Sequence, residues 1–360
     1  MSASTCARSG CSATCGATRW SSIAEARPVP GSPAPLVISL GDPAGIGPEI
    51  AAKAWAARDT AALPPFFVVG DPRAITAVWT GPLATIDAPD RAADVFARAL
   101  PVLTVGDAGR VAPGTPQPDG TRAAVEALEA AVGLARSGAA SAVVTGPVAK
   151  AQLYQAGFTH PGQTEFVAER CGVARENAVM MLAGPTLRVV PVTTHIAFAA
   201  VPDALSVELI VAKARVTARA LARDFGIARP RLAFAGLNPH AGEDGTMGRE
   251  EIEVIRPAIA QLVGDGIDAR GPFAADSLFH ARARAGYDAA ICPYHDQALI
   301  PLKTLHFDEG VNMTLGLPIV RTAPDHGTAF DIAGQDRAEA GATIHAIRLA
   351  AEAAARRASS

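Results

Sequence analysis

The sequence predicts an α/β fold built from parallel β-α-β units. Three observations carry that expectation. Short apolar runs rich in β-branched residues alternate with helical patterns along most of the chain. Of the 360 residues, 49% are hydrophobic and 19% charged, which provides for a large core and rules out global disorder. Aromatics make up only 5%, and the apolar share rests on Ala and Val, a composition that suits an α/β enzyme better than a β-sandwich. By a prior of roughly 150 residues per domain, the length is about two domains.

The chain opens on a Ser/Ala/Thr/Gly-rich leader that holds Cys6, Cys11 and Cys15. It lacks the apolar segment of a secretory signal, and it lacks the histidine and fourth cysteine of a zinc knuckle, so it reads as a disordered extension. Pro28, Pro30, Pro33 and Pro35 make a stiff linker into the first strand. Strands are expected over Leu36–Leu40, Phe66–Gly70, Val102–Val105, Ala142–Thr145, Arg188–Thr193, Arg231–Gly236 and Ala289–Cys292. Between them, a helix is expected over about Thr121–Ser137, with Val125, Leu128, Val132 and Ala135 inward. A second runs from about Ser206 to Phe225, with Ile210, Ala214, Ala218, Leu221 and Phe225 on one face and Lys213, Arg215, Arg219 and Arg223 off it. Ser206 is its expected N-cap and Gly226 its C′ residue. An Ala-rich helix over about Ala340–Arg357 ends the chain.

Net charge is −3, without the basic excess of a polyanion binder, so bulk nucleic-acid binding is disfavoured. No run of about 18 apolar residues exists, so no membrane span is expected. Five cysteines, with Cys171 and Cys292 isolated in the body, do not make a disulfide framework. The expected compartment is a reducing cytoplasm.

Three histidines, His195, His240 and His295, each follow an apolar strand-like run at its C-terminal end. In open α/β sheets ligands bind outside those ends, so the three rings could converge on a transition metal and leave a position open. The alternative is three separate loop histidines. Gly41–Glu49 (GDPAGIGPE) and Thr145–Lys150 (TGPVAK) each join a strand to a helix. Either could hold an anion at a helix N-terminus, or be a tight turn without ligand. Thr164 and Glu165, in Gly162–Phe166 (GQTEF), could be capping residues. Lys303, Asn312 and Arg321 follow His295 within thirty residues and supply phosphate- or carboxylate-binding groups. Asp276 could be a helix N-cap or a carboxylate that orients a ligand.

Together these motifs resemble the 4-hydroxythreonine-4-phosphate dehydrogenases of pyridoxal phosphate biosynthesis. The carrying segments are GDPAGIGPEI, TGPVAK, GQTEF, VTTH (Val192–His195), GLNPHAGE (Gly236–Glu243), MGREE (Met247–Glu251), YHDQ (Tyr294–Gln297) and Gly310–Ala329. They span about residues 36 to 358. The resemblance implies two α/β/α domains of isocitrate/isopropylmalate-dehydrogenase-like fold with the active site in the cleft between them. By that implication residues 36–155 plus about 318–360 form the first domain and about 156–317 the second, after a leader and linker over 1–35. It further implies a homodimer with its sites at the interface. It implies one divalent metal ion (Zn, Mg or Co) on His195, His240 and His295, and a phosphorylated small-molecule substrate on Gln163, Thr164, Lys303, Asn312 and Arg321. NAD or NADP is expected at the loop of His326, Gly327, Thr328, Ala329, Asp331 and Ile332. Gln163 stands where the family usually has histidine, so that position can never be cationic.

The implied reaction is oxidation of 4-phosphooxy-L-threonine at C3 with loss of CO₂ to give 3-amino-2-oxopropyl phosphate. The metal acts as Lewis acid, Lys303 moves protons, and Asp276 orients a metal ligand or a water. Relatives of the wider family oxidise phospho-threonate-type or cis-dihydrodiol substrates. Two other classes compete. A zinc hydrolase would use the open metal position to activate water but would have no use for NAD. A non-catalytic binding protein would tolerate loss of a metal histidine or of Lys303, and this chain keeps them all.

Overall fold

In a computed structural model, residues 34–155 and 157–359 are described, so the leader and its three cysteines lie outside the described residues. Twelve strands form one sheet: β1 (Leu36–Ser39), β2 (Phe66–Gly70), β3 (Leu83–Ile86), β4 (Leu100–Thr104), β5 (Val143–Thr145), β6 (Val179–Gly184), β7 (Leu187–Pro191), β8 (Arg231–Ala235), β9 (Asp268–Phe273), β10 (Ala289–Cys292), β11 (Val311–Leu315) and β12 (Arg321–Pro324). Their spatial order is β3-β4-β2-β1-β5-β12-β11-β6-β7-β10-β8-β9. All seven strands expected from sequence are present, two with the expected ends and five with an end moved by one or two residues.

The sheet is mixed rather than wholly parallel. From β3 to β12 every pairing is parallel, and so are those among β7, β10, β8 and β9. Between these halves, β11 is antiparallel to both β12 and β6, and β6 is antiparallel to β7. For β6 and β7 the physical reason is chain length: Pro185 and Thr186 alone join them, and a two-residue link permits only a hairpin. The fully buried runs LVIS of β1 and FFVVG of β2 fit strands covered by helices on both faces.

Six helices frame the sheet and the site: α1 (Gly47–Ala56), α2 (Pro118–Ser137), α3 (Gln163–Arg170), α4 (Val207–Phe225), α5 (His295–His306) and α6 (Gly341–Ala358). Ser206 caps α4 as expected, its hydroxyl accepting from Leu209 N–H at 3.1 Å, and Gly226 ends the helix at φ 71°. Helix α4 is buried on more than the expected face. Lys213, Thr217 and Asp224 are also covered, because α6, the turn Arg175–Asn177 and the helix Arg256–Gly264 all pack against it. Asp224 is 0% exposed and is held bidentate by Arg357 of α6 at 2.7 and 2.9 Å, with Arg223 at 2.7 Å. Among the described residues no helix is long and apolar enough to cross a membrane.

Candidate active site

The three histidine loops leave the C-terminal ends of three neighbouring parallel strands, β7, β10 and β8. The strand-end reading therefore holds at the level of topology. The rings do not all meet. His195 and His295 face each other with centroids 5.5 Å apart, whereas no group of three His, Cys, Asp or Glu side chains is gathered for a metal among the described residues. His240 is exposed on the loop after β8. Asp276 is exposed in the first turn of a short helix, Ala275–Leu278, whose N-cap is Ala274, so Asp276 is not the cap. That helix packs beside the His240 loop.

Two of the histidines sit in left-handed backbone, His195 at φ 54° and His240 at φ 51°. His240 opens a left-handed turn: Ala241, Gly242, Glu243 and Asp244 follow at φ 54°, 80°, 43° and 53°. Each non-glycine residue there costs on the order of 1 kcal/mol against a right-handed turn. Such strain concentrates at functional sites and persists only where neighbours hold it.

The pair itself suits a divalent ion. His295 Nδ1 lies 2.7 Å from Asp296 Oδ1, and a carboxylate there accepts the Nδ1 proton and leaves Nε2 for a metal. Desolvation of the ring, then the charges of Lys150 and His295, lower the His195 pKa and favour the neutral imidazole that coordinates.

Beside the pair lies a cavity of about 430 Å³ that gathers most of the expected substrate residues: Gln163, Lys303, Asn312 and Arg321 line it with His295, Asp325 and His326. His295, Leu299 and Lys303 reach it from one face of α5 at a spacing of four. Lys303 Nζ is 2.9 Å from Asp325 Oδ2. Arg321, on β12, is 4% exposed. Its guanidinium donates to Thr145 Oγ1 at 2.6 Å, Thr314 Oγ1 at 3.1 Å and Thr164 Oγ1 at 3.5 Å, all hydroxyls. No carboxylate lies within ion-pair distance of it among the described residues, and its Nε has no partner. Burial lowers the pKa of this guanidinium to about 10, so it remains cationic at neutral pH. Thr164, placed by sequence as a possible cap, turns inward to Arg321 instead, and Gly162 occupies the N-cap of α3.

Three more buried atoms on this cavity's lining residues lack partners: Gln163 Oε1, Asn312 Oδ1 and His326 Nε2. Orphaned polar atoms this dense are rare in a finished core and point to a ligand that completes them. Gln163 donates its amide to Gly146 O at 3.1 Å, so the atom it leaves free is an acceptor.

The first glycine-rich turn is not an open anion cradle. A Cβ on Gly41 would stand 2.4 Å from Pro147 O, and one on Gly47 would stand 2.2 Å from Leu40 O. The glycines are required by backbone packed on backbone. The segment after His326 closes over this turn, with Ile46 N–H donating to Thr328 O at 3.0 Å. Ala329 and Ile332 pack on the cluster around Ile46 and Ile50. Gly327 and Asp331 remain exposed. Sequence reasoning did not single out Lys53, which ties this segment down by bonds to Ala338 O and Glu49, 2.8 and 2.9 Å. A Glu-Lys pair four apart in a helix was the available signal.

The family model described as "Pyridoxal phosphate biosynthetic protein PdxA" matches residues 62–350, well over half of the chain. The chain belongs to the PdxA family. A curated PdxA relative from Zymomonas mobilis, named 4-hydroxythreonine-4-phosphate dehydrogenase, is 56% identical over 320 residues, covering 89% of this chain and 96% of that protein. A solved 4-hydroxythreonine-4-phosphate dehydrogenase from Klebsiella pneumoniae superposes with a TM-score of 0.79 at 36% identity, covering 89% of this chain and 99% of that one. A terephthalate 1,2-cis-dihydrodiol dehydrogenase from Burkholderia xenovorans superposes with a TM-score of 0.62 at 30% identity, covering 89% and 98%.

Proposed function

We propose that the chain oxidises 4-phosphooxy-L-threonine at C3 and decarboxylates it to 3-amino-2-oxopropyl phosphate, in pyridoxal phosphate biosynthesis, using NAD or NADP and one divalent ion. The carrying observation is Arg321: a buried cation lining a cavity, bonded to hydroxyls alone, with Nε free. A buried unpaired charge is costly, and an anionic substrate removes that cost. Asn312 and Thr164 add neutral hydrogen bonds beside it. The free Gln163 oxygen accepts from a substrate hydroxyl or ammonium rather than binding phosphate.

When bound, the divalent ion supplies Lewis-acid polarisation of the reacting oxygen, and the nicotinamide ring supplies the hydride acceptor. His195 and His295 hold the ion, and Asp296 orients His295. Lys303 approaches from the same face of α5, positioned by Asp325 to take the hydroxyl proton and later return one to carbon once CO₂ has left. The NAD adenosine half is assigned to the segment after His326, where the exposed Asp331 carboxylate offers an acceptor for ribose hydroxyls and His326 Nε2 is unpartnered.

The third ligand fits a homodimer whose sites lie at its interface. We read His240 and Asp276 as reaching the histidine pair of a second copy. Large exposed apolar side chains border these loops: Ile196, Phe198, Met247 and Phe273. Their exposure supports the reading that these loops are covered by a second copy. We read residues 36–155 with about 318–360 as one α/β domain and about 156–317 as the second, and the cytoplasm is the compartment proposed.

The test is a substrate panel followed by NADH formation: 4-phosphooxy-L-threonine, 4-phospho-D-threonate and an aromatic cis-dihydrodiol, each with and without chelator. NADH and CO₂ in equal amounts from the first, abolished by chelator, is the expected result. Strong turnover of the dihydrodiol with none of the first would replace this function by the dihydrodiol activity.

A further inference from the structure

Beneath the left-handed turn that begins at His240 lies Glu251, 1% exposed, with no cationic partner within ion-pair distance among the described residues. Its two oxygens are both used on one residue of the loop. Oε1 accepts from Asn238 N–H at 2.8 Å and Oε2 from Asn238 Nδ2 at 3.0 Å, while Glu250 Oε2 accepts from the same amide at 2.7 Å. The turn wraps closely around this carboxylate: a Cβ on Gly242 would stand 2.5 Å from Oε2, and one on Gly236 would stand 3.2 Å from Oε1. Ala241 folds back over Gly236, whose carbonyl accepts from Gln297 Nε2 at 2.8 Å, two residues beyond His295. The base of the His240 loop is thus fastened to the helix that carries His295.

We propose that Glu251 is a positioning residue for the metal centre: its buried carboxylate, doubly bonded to Asn238, holds residues 240–244 left-handed and so presents the His240 imidazole to the divalent ion. This rests on the reading of His240 as a ligand, and deepens it. A right-handed relaxation of the turn would carry the ring away from its present direction, and within residues 240–244 only Gly242 and Asp244 are types that readily take the left-handed form, while His240, Ala241 and Glu243 must be held in it. Partners that orient a ligand without touching the metal commonly control affinity by ten- to a hundredfold, and Glu251 acts at the backbone level of that role.

The test uses full-length protein stripped of metal and titrated with Co²⁺ alone, read by visible absorption, with the thermal midpoint measured alongside. Glu251→Gln keeps the shape but sets an amide donor against the donors of Asn238. It is expected to weaken Co²⁺ binding at least tenfold with a midpoint close to that of the parent. Asn238→Ala keeps the backbone bond to Oε1 and is expected to weaken binding several-fold; it carries the test if Glu251→Gln does not fold. A folded variant that binds Co²⁺ like the parent, while His240→Ala binds at least tenfold more weakly, overturns the positioning role and leaves His240 as a ligand. Parent-like Co²⁺ binding by His240→Ala removes the ligand reading and the Glu251 role with it.

Discussion

Two buried charges in this molecule are handled in opposite ways. Asp224 is wholly covered, and Arg357 and Arg223 meet it from two helices. Arg321 is almost as covered, yet its partners are three threonine hydroxyls and an empty direction at Nε. The first charge is satisfied within the chain and ties α4 to α6. The second is satisfied only when something anionic enters the cavity. The difference marks a structural ion pair and a binding site made from the same kind of group.

The sharpest way to break this contrast is to neutralise each arginine in turn. Arg321→Met is expected to lower kcat/KM roughly a thousandfold, about 4 kcal/mol of lost interaction, while the thermal midpoint stays level or rises because an uncompensated charge has gone. Steady-state kinetics and a melting curve on the same sample check both halves. Arg357→Met should do the reverse. It leaves Asp224 buried with Arg223 alone, so stability falls by about 3 kcal/mol in a denaturant titration while KM is unchanged.

Acid sharpens the contrast further. Burial alone would raise the Asp224 carboxyl, but the bonds and charges of Arg357 and Arg223 outweigh it and hold its pKa below the usual range. A depressed carboxyl contributes stability that is fully present above the unfolded pKa, about 3.9, and lost as pH falls through the lower folded value. The stability gap between the parent and Asp224→Asn should therefore be constant near pH 6 and shrink on approach to pH 3. A gap independent of pH over that window would mean that the pair contributes nothing. The smallest effect is expected at Gln163→His, where KM for the phosphorylated substrate should move several-fold and kcat less than twofold, since the side chain meets the substrate away from C3. A collapse of kcat at constant KM would place this residue in the chemistry instead.

The strands that sequence reading missed each lack the apolar, β-branched run that marked the others. Strands β11 (VNMTL) and β12 (RTAP) carry Asn312 and Arg321 in the centre of the sheet, and these site residues interrupt the apolar run that identifies a buried strand. At the rim, β3 is short and half-exposed, and β9 (DARGPF) is a polar edge strand with no apolar period. Met-rich β6 has a single β-branched residue, Val179, against the several that marked most of the others. Residue types also misled at Lys213, which charge placed outside and the fold buries. Lys303, Asn312, Arg321 and Gln163 were grouped as substrate residues by sequence order and resemblance, and one cavity has all four on its lining.

By itself the sequence determined the α/β class, the span and caps of α4, the strand ends that carry His195, His240 and His295, and the family whose motifs those residues complete. These are local properties: apolar period, turn chemistry and residue order act over a few positions, and the chain expresses them wherever it folds. Only the tertiary structure decided that the sheet is mixed, that Arg321 is buried without a counter-charge, and that Glu251 lies beneath a left-handed turn. It also brought His195 and His295 together and left His240 apart. Those facts depend on which distant segments pack together, since the cost of a buried charge or a left-handed residue is set by what surrounds it.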